Sequence, residues 1–402
     1  MLSFLALSAS ILAVQAAPNF PNFPAVADIP LYLKGFQNPK VVPSVAGHAT
    51  CVQGNIPVSA SAMNYELKYT GPANQSVLTE TLVEFLQQDA TLPTNTLGPK
   101  TNVSGTYNIN SQICWPATGA INASLVQFLT HGVGFDKSYW NFFSNDYSYA
   151  DRAALAGYTT FFYDRLGVGQ SDHPDPIQAV QAPLEINIAH GLIEMLRCGS
   201  ISSTKFEHVI GVGHSLGSEL TNALTAQYPK DLDAAVLTGF SVESSGFPSF
   251  FSGLNLALAN QNQPLRFANL PNGYTVSDSL ISNQFGFLRL PNFDYNVLLA
   301  AEATKGTFTI GELFTNSMFV SPAPQFTGPI DVVDGENDLP FCQSNCLAPT
   351  NKAAEVKGAL YPAASAGSQY YIAKGAGHGL NLHFVAPQAY QHIFSFIAAN
   401  GF

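Results

Sequence analysis

The chain has 402 residues, of which 46% are hydrophobic and only 11% are charged, so it has enough apolar material for a large buried core. Its 27 acidic and 16 basic residues give a formal net charge of −11 at pH 7, which argues against nucleic acid or an anionic membrane surface as a partner. Length alone does not require several domains, because α/β proteins of this size often form one core.

Residues 1–16 form an apolar run that ends in small residues, MLSFLALSASILAVQA. This composition predicts a secretory signal peptide cleaved after Ala16. A membrane anchor is the alternative interpretation, but serines and a glutamine interrupt the run and it is short for a bilayer span. No later stretch of the sequence is long and apolar enough to be an integral membrane span. We therefore expect a secreted, extracellular protein.

The segment 17–120 is rich in Pro, Asn, Thr and Gly and contains short alternating runs, a composition typical of strands and long loops. We predict that this N-terminal segment joins the core sheet. Asn-x-Ser triplets at Asn74, Asn102 and Asn122 are candidate glycosylation sites, which agrees with passage through a secretory pathway.

Five cysteines in an oxidising compartment predict two disulfides and one leftover thiol. Cys342 and Cys346 are close enough in sequence for a local bridge, and Cys51 with Cys114 follows by elimination. Cys198 is then expected to stay unpaired and buried. These spacings match no common zinc pattern, so no metal site is predicted.

From residue 125 onward, short apolar runs bounded by turn residues predict strands buried on both faces of a parallel sheet. Amphipathic helical patterns separate these runs, and strand alternating with helix implies a doubly wound, mostly parallel α/β sheet. The core is assigned to 121–239 and 327–402. The predicted strands are LVQFL (125–129), TTFFY (159–163), HVIGV (208–212), AAVLTG (234–239), IDVV (330–333) and QYYIA (369–373).

Residues 240–326 break the alternation and are rich in phenylalanine, with only eight charged residues. They are predicted to form a mostly helical cap inserted between two strands of the sheet. Some of the aromatic side chains are expected to form the cap's own core. Others are expected to face the site as an apolar wall, as ligand pockets usually require.

The sequence GVGHSLG (211–217) places Ser215 between a predicted strand and an amphipathic helix. This is the context in which G-x-S-x-G indicates a nucleophile on a tight turn, with Gly213 and Gly217 allowing the strand and the helix to approach closely. The turn would expose the serine hydroxyl near the positive end of the helix. An ordinary glycine-rich turn is the alternative.

A serine nucleophile needs a base, and we select His378, in the loop after the last predicted strand, because glycines flank it. His383 is the second choice and is otherwise expected to be a surface residue. The acid that orients the imidazole is predicted to be Asp338, beyond the strand IDVVDG, with Asp334 and Glu336 as alternatives.

The sequence HGVG (131–134) follows a predicted strand and is a candidate oxyanion loop. The backbone N–H groups of Val133 and Leu216 would donate to the developing oxyanion. His131 and Gly132 are expected to support this loop without taking part in the chemistry.

Together the motifs HGVG, YDRLGVGQSD, GHSLG, GENDLPF and GAGHG resemble those of the α/β-hydrolase superfamily in order and spacing, over about residues 125–402. The resemblance is to the lid-bearing branch of esterases, lipases and prolyl-aminopeptidase-like enzymes, and the N-terminal segment resembles that of secreted fungal α/β-hydrolases. It implies a structural role for Arg165, in the turn beneath the site.

The sequence therefore predicts a serine hydrolase that acts on small apolar esters through an acyl-enzyme, without a cofactor and with its oligomeric state left open. An amidase or N-terminal exopeptidase of the prolyl-aminopeptidase type is the alternative, in which Glu243, Glu302 or Glu312 would bind the substrate's ammonium group. A catalytically inactive binding protein is the remaining alternative.

Overall fold

The computed structural model describes residues 33–118, 124–202 and 204–402. The predicted signal peptide and Asn122 lie outside the described residues. The strands are β1 (Gln37–Pro43), β2 (Ala49–Leu67), β3 (Leu97–Pro116), β4 (Leu125–Thr130), β5 (Thr159–Tyr163), β6 (His208–His214), β7 (Ala234–Thr238), β8 (Ala257–Leu258), β9 (Tyr274–Val276), β10 (Phe308–Thr309), β11 (Ile330–Gly335) and β12 (Gln369–Ala373).

The α-helices alternate with the strands of the core and dominate the cap. They are α1 (Gln75–Leu86), α2 (Leu92–Thr96), α3 (Tyr149–Leu155), α4 (Ala182–Cys198), α5 (Leu216–Gln227), α6 (Phe247–Leu254), α7 (Ala259–Asn262), α8 (Pro264–Phe267), α9 (Leu280–Phe287), α10 (Tyr295–Thr304), α11 (Ile310–Thr315), α12 (Leu339–Cys342), α13 (Lys352–Leu360) and α14 (Ala386–Ala399). Short 3₁₀ turns span Lys137–Trp140, Asn316–Met318 and Leu380–Leu382.

A nine-stranded sheet in the order β1-β2-β3-β5-β4-β6-β7-β11-β12 forms the centre of the molecule. Within this sheet β5, β4, β6, β7, β11 and β12 pair in parallel, whereas β1, β2 and β3 extend it antiparallel from β5. All six segments predicted from apolar runs are strands, and β4, β5, β7 and β11 are buried along their whole length, as expected for strands covered on both faces. The predicted α/β fold class is therefore confirmed. The expectation of burial is wrong for β12, an edge strand that is partly exposed.

The N-terminal segment contains a long antiparallel pair of strands, in which β2, of 19 residues, pairs with β3, of 20 residues. Helices α1 and α2 lie in the connection between them, where the sequence led us to expect only strands and loops. Asn74 caps α1 by accepting the backbone N–H of Val77, and both it and Asn102 on β3 are exposed.

Between β7 and β11 the chain forms helices α6 to α11 and a small antiparallel sheet in the order β10-β9-β8. We call this insertion the cap. Its mostly helical character agrees with the sequence interpretation, but the small sheet was not predicted. Strands of two or three residues are too short to show an alternating pattern.

Disulfides join Cys51 to Cys114 across the β2–β3 ladder and Cys342 to Cys346 after β11, the two pairs expected from the sequence. Cys198 is free, but the expectation that it is buried is wrong. It lies in the last turn of α4 on the solvent side, next to the Ser200 hydroxyl. Across the described ranges, no helix combines the length and the apolar character needed to cross a bilayer.

Candidate active site

Ser215 occupies the tight turn between β6 and α5 with backbone angles φ 56° and ψ −123°. A positive φ is unfavourable for a residue with a side chain, so the surrounding structure must hold this turn in place. A Cβ on Gly213 would lie 2.3 Å from the carbonyl oxygen of Gly217, and one on Gly217 would lie 2.0 Å from that of Thr130. Gly213 is therefore required for the close approach of β6 to α5, and Gly217 for the close approach of α5 to the end of the neighbouring strand β4.

Three side chains from distant parts of the chain form one hydrogen-bonded series. His378 Nε2 lies 2.8 Å from Ser215 Oγ, and its Nδ1 lies 2.6 Å from Asp338 Oδ2. The second carboxylate oxygen of Asp338 accepts the backbone N–H of Phe341 at 3.0 Å, which fixes the carboxylate at the start of α12. Ser215 is only 6% exposed, and the other two residues are buried.

The two alternative acids contact other groups. Asp334 accepts the backbone N–H of Phe240 at 2.7 Å, and burial raises its pKa well above the ordinary range, with the nearby Asp338 acting in the same direction. Glu336 accepts the backbone N–H of Gly375 at 2.8 Å. Among these three acids, the one paired with His378 is thus Asp338.

His383, the alternative base, is fully buried, so the expectation that it lies on the surface is wrong. Its Nε2 accepts the backbone N–H groups of Gly377 at 2.9 Å and Arg289 at 3.1 Å, while Nδ1 donates to the carbonyl of Gly379 at 2.9 Å. Burial lowers its pKa to about 4, so the ring is neutral and can accept these bonds. His383 therefore holds the loop that carries His378 and ties it to the cap.

The glycines beside His378 have a different role from the one expected. We attributed them to freedom of the imidazole to move over the serine. In the structure, Gly379 N–H donates to the carbonyl of Phe287 at 2.8 Å, and a Cβ on Gly377 would lie 2.9 Å from that same oxygen. They let the cap backbone pack directly against the loop, which restrains it.

The candidate oxyanion loop packs directly on the nucleophile. Val133 and Leu216 line one small cavity together with Ser215. A Cβ on Gly132 would lie 2.7 Å from Ser215 Cβ, so only glycine permits this approach. His131 is buried; its Nδ1 donates to the carbonyl of Gly132 at 2.9 Å and its Nε2 accepts the N–H of Arg165 at 3.1 Å, in agreement with a supporting role.

Arg165 forms a buried ionic cluster that connects the core to the cap. Its Nη1 lies 2.6 Å from Glu185 on α4 and 2.5 Å from Glu312 on α11 of the cap. Burial raises the pKa of Glu185 well above its ordinary value, against the opposing pull of Arg165. Glu312 also accepts the backbone N–H of Thr309 at 2.7 Å in a capping box. The sequence resemblance implied a structural residue, but the carboxylates that bind it come from distant positions.

A small cavity lies over the nucleophile, and a large cavity adjoins it through shared lining residues. The small one, of about 20 Å³, is lined by Ser215 and the oxyanion residues, and the large one has a volume of about 590 Å³. Phenylalanines of the cap line both cavities. Phe85, Leu86 and Pro93 of the N-terminal segment also line the large cavity, which sequence reasoning missed. The Asn74 cap and the amphipathic pattern that follows it could have predicted helix α1, but they do not indicate the residues against which it packs.

The glutamates considered for binding an ammonium group are mostly engaged elsewhere. Glu312 binds Arg165, and Glu302 pairs with Lys305 at 2.6 Å. Glu243 lines the large cavity, and its side chain caps the backbone N–H of Ser245 at 3.0 Å.

One cluster has the composition of a metal site. Ligand atoms of Asp334, Cys342 and Cys346 lie within 4.8 Å of one another. The two sulfur atoms are joined in a disulfide, so they are not available as thiolate ligands. This cluster therefore does not fit a metal ion while the bridge is formed.

A family model described as the alpha/beta hydrolase family matches residues 128–390, which is more than half of the chain. Among solved structures, the chain is similar to a thermophilic esterase from Thermogutta terrifontis, with 13% identity and a TM-score of 0.49 over 73% of this chain and 95% of that chain. An alpha/beta hydrolase fold protein from Chitinophaga pinensis has 14% identity and a TM-score of 0.47, covering 73% and 93% of the two chains. The enol-lactonase from Burkholderia xenovorans LB400 has 17% identity and a TM-score of 0.45, covering 73% and 97%. No curated protein sequence matches the chain significantly.

Proposed function

Because the chain belongs to the alpha/beta hydrolase family, we propose that it is a serine hydrolase that cleaves carboxylic esters of apolar acyl or aryl substrates. The observation that carries this proposal is the series Ser215–His378–Asp338, with contacts of 2.8 and 2.6 Å, on a strained turn at the start of α5. A hydroxyl, an imidazole and a carboxylate in this order can activate the oxygen as a nucleophile.

The reaction would proceed in two halves. Ser215 Oγ attacks the ester carbonyl carbon while His378 Nε2 takes its proton, and the N–H groups of Val133 and Leu216 stabilise the oxyanion. His378 then gives the proton to the leaving oxygen, the C–O bond breaks, and an alcohol leaves the acyl-enzyme. Water attacks the acyl-enzyme with His378 again as the base, releasing the acid and restoring the serine. Asp338 accepts a hydrogen bond from the Nδ1–H group of His378 throughout and stabilises the imidazolium each time it forms.

The cavities support an apolar substrate. The large cavity takes most of its lining from aromatic and aliphatic side chains, among them Phe247, Phe251, Phe314 and Phe341. Such a lining favours acyl or aryl groups through burial of apolar surface, at roughly 25 cal/mol per Å². Its volume of about 590 Å³ is within the range of small-molecule sites.

We also propose that the protein is secreted, as a glycosylated member of the lid-bearing, secreted branch that the sequence resembles. The apolar run over 1–16 supports a signal peptide. Two disulfides fit an oxidising compartment, and the exposed Asn74 and Asn102 are accessible for modification. The mass of protein recovered from culture medium, before and after enzymatic deglycosylation, tests this proposal. Unmodified protein retained in cells would contradict it.

Purified protein should release 4-nitrophenol from 4-nitrophenyl heptanoate, and Ser215→Ala should lower kcat by at least about 10³-fold. Ser218→Ala is a matched control, because that buried hydroxyl lies on the same helix and donates to the carbonyl of Thr238 at 2.8 Å. It should keep most of the activity. Equal rates for wild type and Ser215→Ala would refute the proposal.

Two further measurements separate the alternatives. A fluorophosphonate probe should add to Ser215, and the absence of any adduct would favour a binding protein without catalysis. Proline 4-nitroanilide assayed beside the aryl ester distinguishes amidase or exopeptidase activity, which would give the larger kcat/KM on the anilide.

A further inference from the structure

The two cavities meet at a zone lined by the five residues that border both of them. A chain that extends from the nucleophile into the large cavity has to pass between them. Three are phenylalanines and two are polar: Phe247, Phe251, Phe341, Glu219 and Asn316. Among the described residues that line the small cavity, Glu219 is the ionisable one.

Glu219 lies on the first turn of α5, four residues after Ser215. The backbone N–H of Glu219 donates to the carbonyl of Ser215 at 3.0 Å, and both residues line the small cavity. The carboxyl group therefore borders the same cavity as the nucleophile. It is 3% exposed, and the Asn316 side chain of the cap hydrogen-bonds it.

The surroundings of this carboxyl group favour its neutral form. Burial raises the pKa of Glu219 to about 8, with the hydrogen bond from Asn316 acting in the opposite direction. A protonated carboxyl group can donate a hydrogen bond to an acceptor, which a carboxylate cannot. At neutral pH the zone between the cavities thus contains a hydrogen-bond donor within an apolar wall.

The charges around the cavities indicate what this donor can bind. In the part of the chain that the structure describes, no Lys, Arg or His side chain lines either cavity, and Glu243 adds a second acid to the large one. A substrate carboxylate would be buried without a positive partner, which is costly. An uncharged oxygen acceptor has no such penalty.

We propose that Glu219 is a specificity-determining residue that donates a hydrogen bond to an uncharged carbonyl or ether oxygen in the acyl chain, a few carbons from the scissile ester. This inference rests on the proposed function and narrows the substrate class to oxo- or alkoxy-acyl esters. The apolar wall binds the hydrocarbon parts of the chain, and the carboxyl group selects the position of the oxygen.

The test compares 4-nitrophenyl heptanoate with its 4-oxo, 5-oxo and 6-oxo derivatives from pH 6 to pH 9. Wild type should prefer at least one oxo ester about tenfold in kcat/KM, the size expected for one hydrogen bond. Above pH 8 the preference should decline towards one as the donor is lost. Glu219→Gln retains an N–H donor and should keep the preference at every pH, whereas Glu219→Met should abolish it at every pH.

Glu243→Gln is the matched control for the acidity of the cavity, and it should keep both the preference and its alkaline decline. A merely structural role for Glu219 would not make the ratio of two substrates depend on pH. The inference is overturned if wild type shows no preference at any oxo position, if Glu219→Met keeps it, or if Glu219→Gln shows the same alkaline decline. A preference for an ammonium-bearing ester that Glu219→Gln abolishes would overturn it too, because it would indicate a carboxylate that binds cations.

Failure of the proposed function gives a different result. If wild type hydrolyses none of the esters, calorimetry on Ser215→Ala compares binding of methyl 5-oxoheptanoate and methyl heptanoate without turnover. About tenfold tighter binding of the oxo ester, lost when Glu219→Met is added, supports the role of Glu219. Equal binding refutes that role.

Discussion

The buried cluster of Arg165, Glu185 and Glu312 gives a sharp prediction about which carboxyl group carries the charge. Three buried ionisable groups with one cation are neutral overall only if one carboxyl group keeps its proton. Glu185 Oε2 and Glu312 Oε1 both contact the same Arg165 Nη1, so the two carboxyl groups lie close together and their charges would repel each other. We assign that proton to Glu185, because burial raises the pKa of its carboxyl group well above the ordinary value and the neighbouring Glu312 acts in the same direction.

The assignment predicts unequal effects for two chemically identical changes. Glu312→Gln keeps an oxygen for the Thr309 N–H but leaves the Arg165 guanidinium without its counter-ion. Removing one partner of a buried ion pair typically costs about 3–5 kcal/mol. Glu185→Gln replaces a neutral acid by a neutral amide of the same shape and should change the free energy of unfolding by no more than about 1 kcal/mol.

Urea unfolding at pH 7, followed by the fluorescence of the buried Trp115 and Trp140, measures both changes. The triple variant Arg165→Met, Glu185→Gln, Glu312→Gln removes every charge and should be more stable than Glu312→Gln alone. Equal losses for the two single Gln variants, or a larger loss for Glu185→Gln, would show that the proton is assigned to the wrong residue.

Three further predictions concern residues around the nucleophile. Gly132→Ala places a methyl group 2.7 Å from Ser215 Cβ and should lower kcat by about 100-fold with an unchanged circular dichroism spectrum; normal kcat would contradict the packing described. His383→Ala leaves two backbone N–H groups without their acceptor, which costs about 1–3 kcal/mol for each group. Urea unfolding should therefore show a lower free energy of unfolding, and an unchanged midpoint would refute the restraining role. The pKa of Glu219 is raised to about 8, so the folded protein keeps a proton that the unfolded chain releases above about pH 4.5. The free energy of unfolding therefore falls as the pH rises between these two values. Glu219→Gln should therefore match wild type in unfolding free energy near pH 4 and exceed it at pH 8, and a constant difference would refute the shift.

The features predicted correctly from the sequence include motifs that lie at the ends of strands. The apolar runs of β4, β5, β7 and β11 can be recognised in the sequence because both faces of these strands are buried, and Gly213 is needed for a contact with Gly217 in the same turn. The pairing of His378 with Asp338 was predictable for the same reason, since parallel strands bring their carboxyl ends to one edge of the sheet.

The errors concern contacts made across the chain. His383 is buried and Cys198 is exposed, the reverse of what the sequence led us to expect. The environment of His383 cannot be predicted locally, because residues that bury it come from the cap, at Arg289 and Phe293. Helix α1 shows its own pattern, with Leu78 and Leu82 four residues apart and buried, but its partners are far along the sequence.

The cap and the candidate catalytic loop cannot move independently. Ser215 is nearly closed off, and the cavity above it, about 20 Å³, has room for roughly one water molecule, so an acyl group needs part of the wall to shift. Phe287 of α9 holds the His378 loop through its carbonyl oxygen, so displacing α9 would disturb the imidazole. Phe247 and Phe251 of α6 line both cavities, so rotation of these two rings joins the cavities. Phe250 of the same helix packs against the His378 ring at 5.5 Å between centroids, so rotation of the Phe247 and Phe251 rings, without displacement of α6, admits a substrate while the contacts between the hydroxyl, imidazole and carboxylate stay intact.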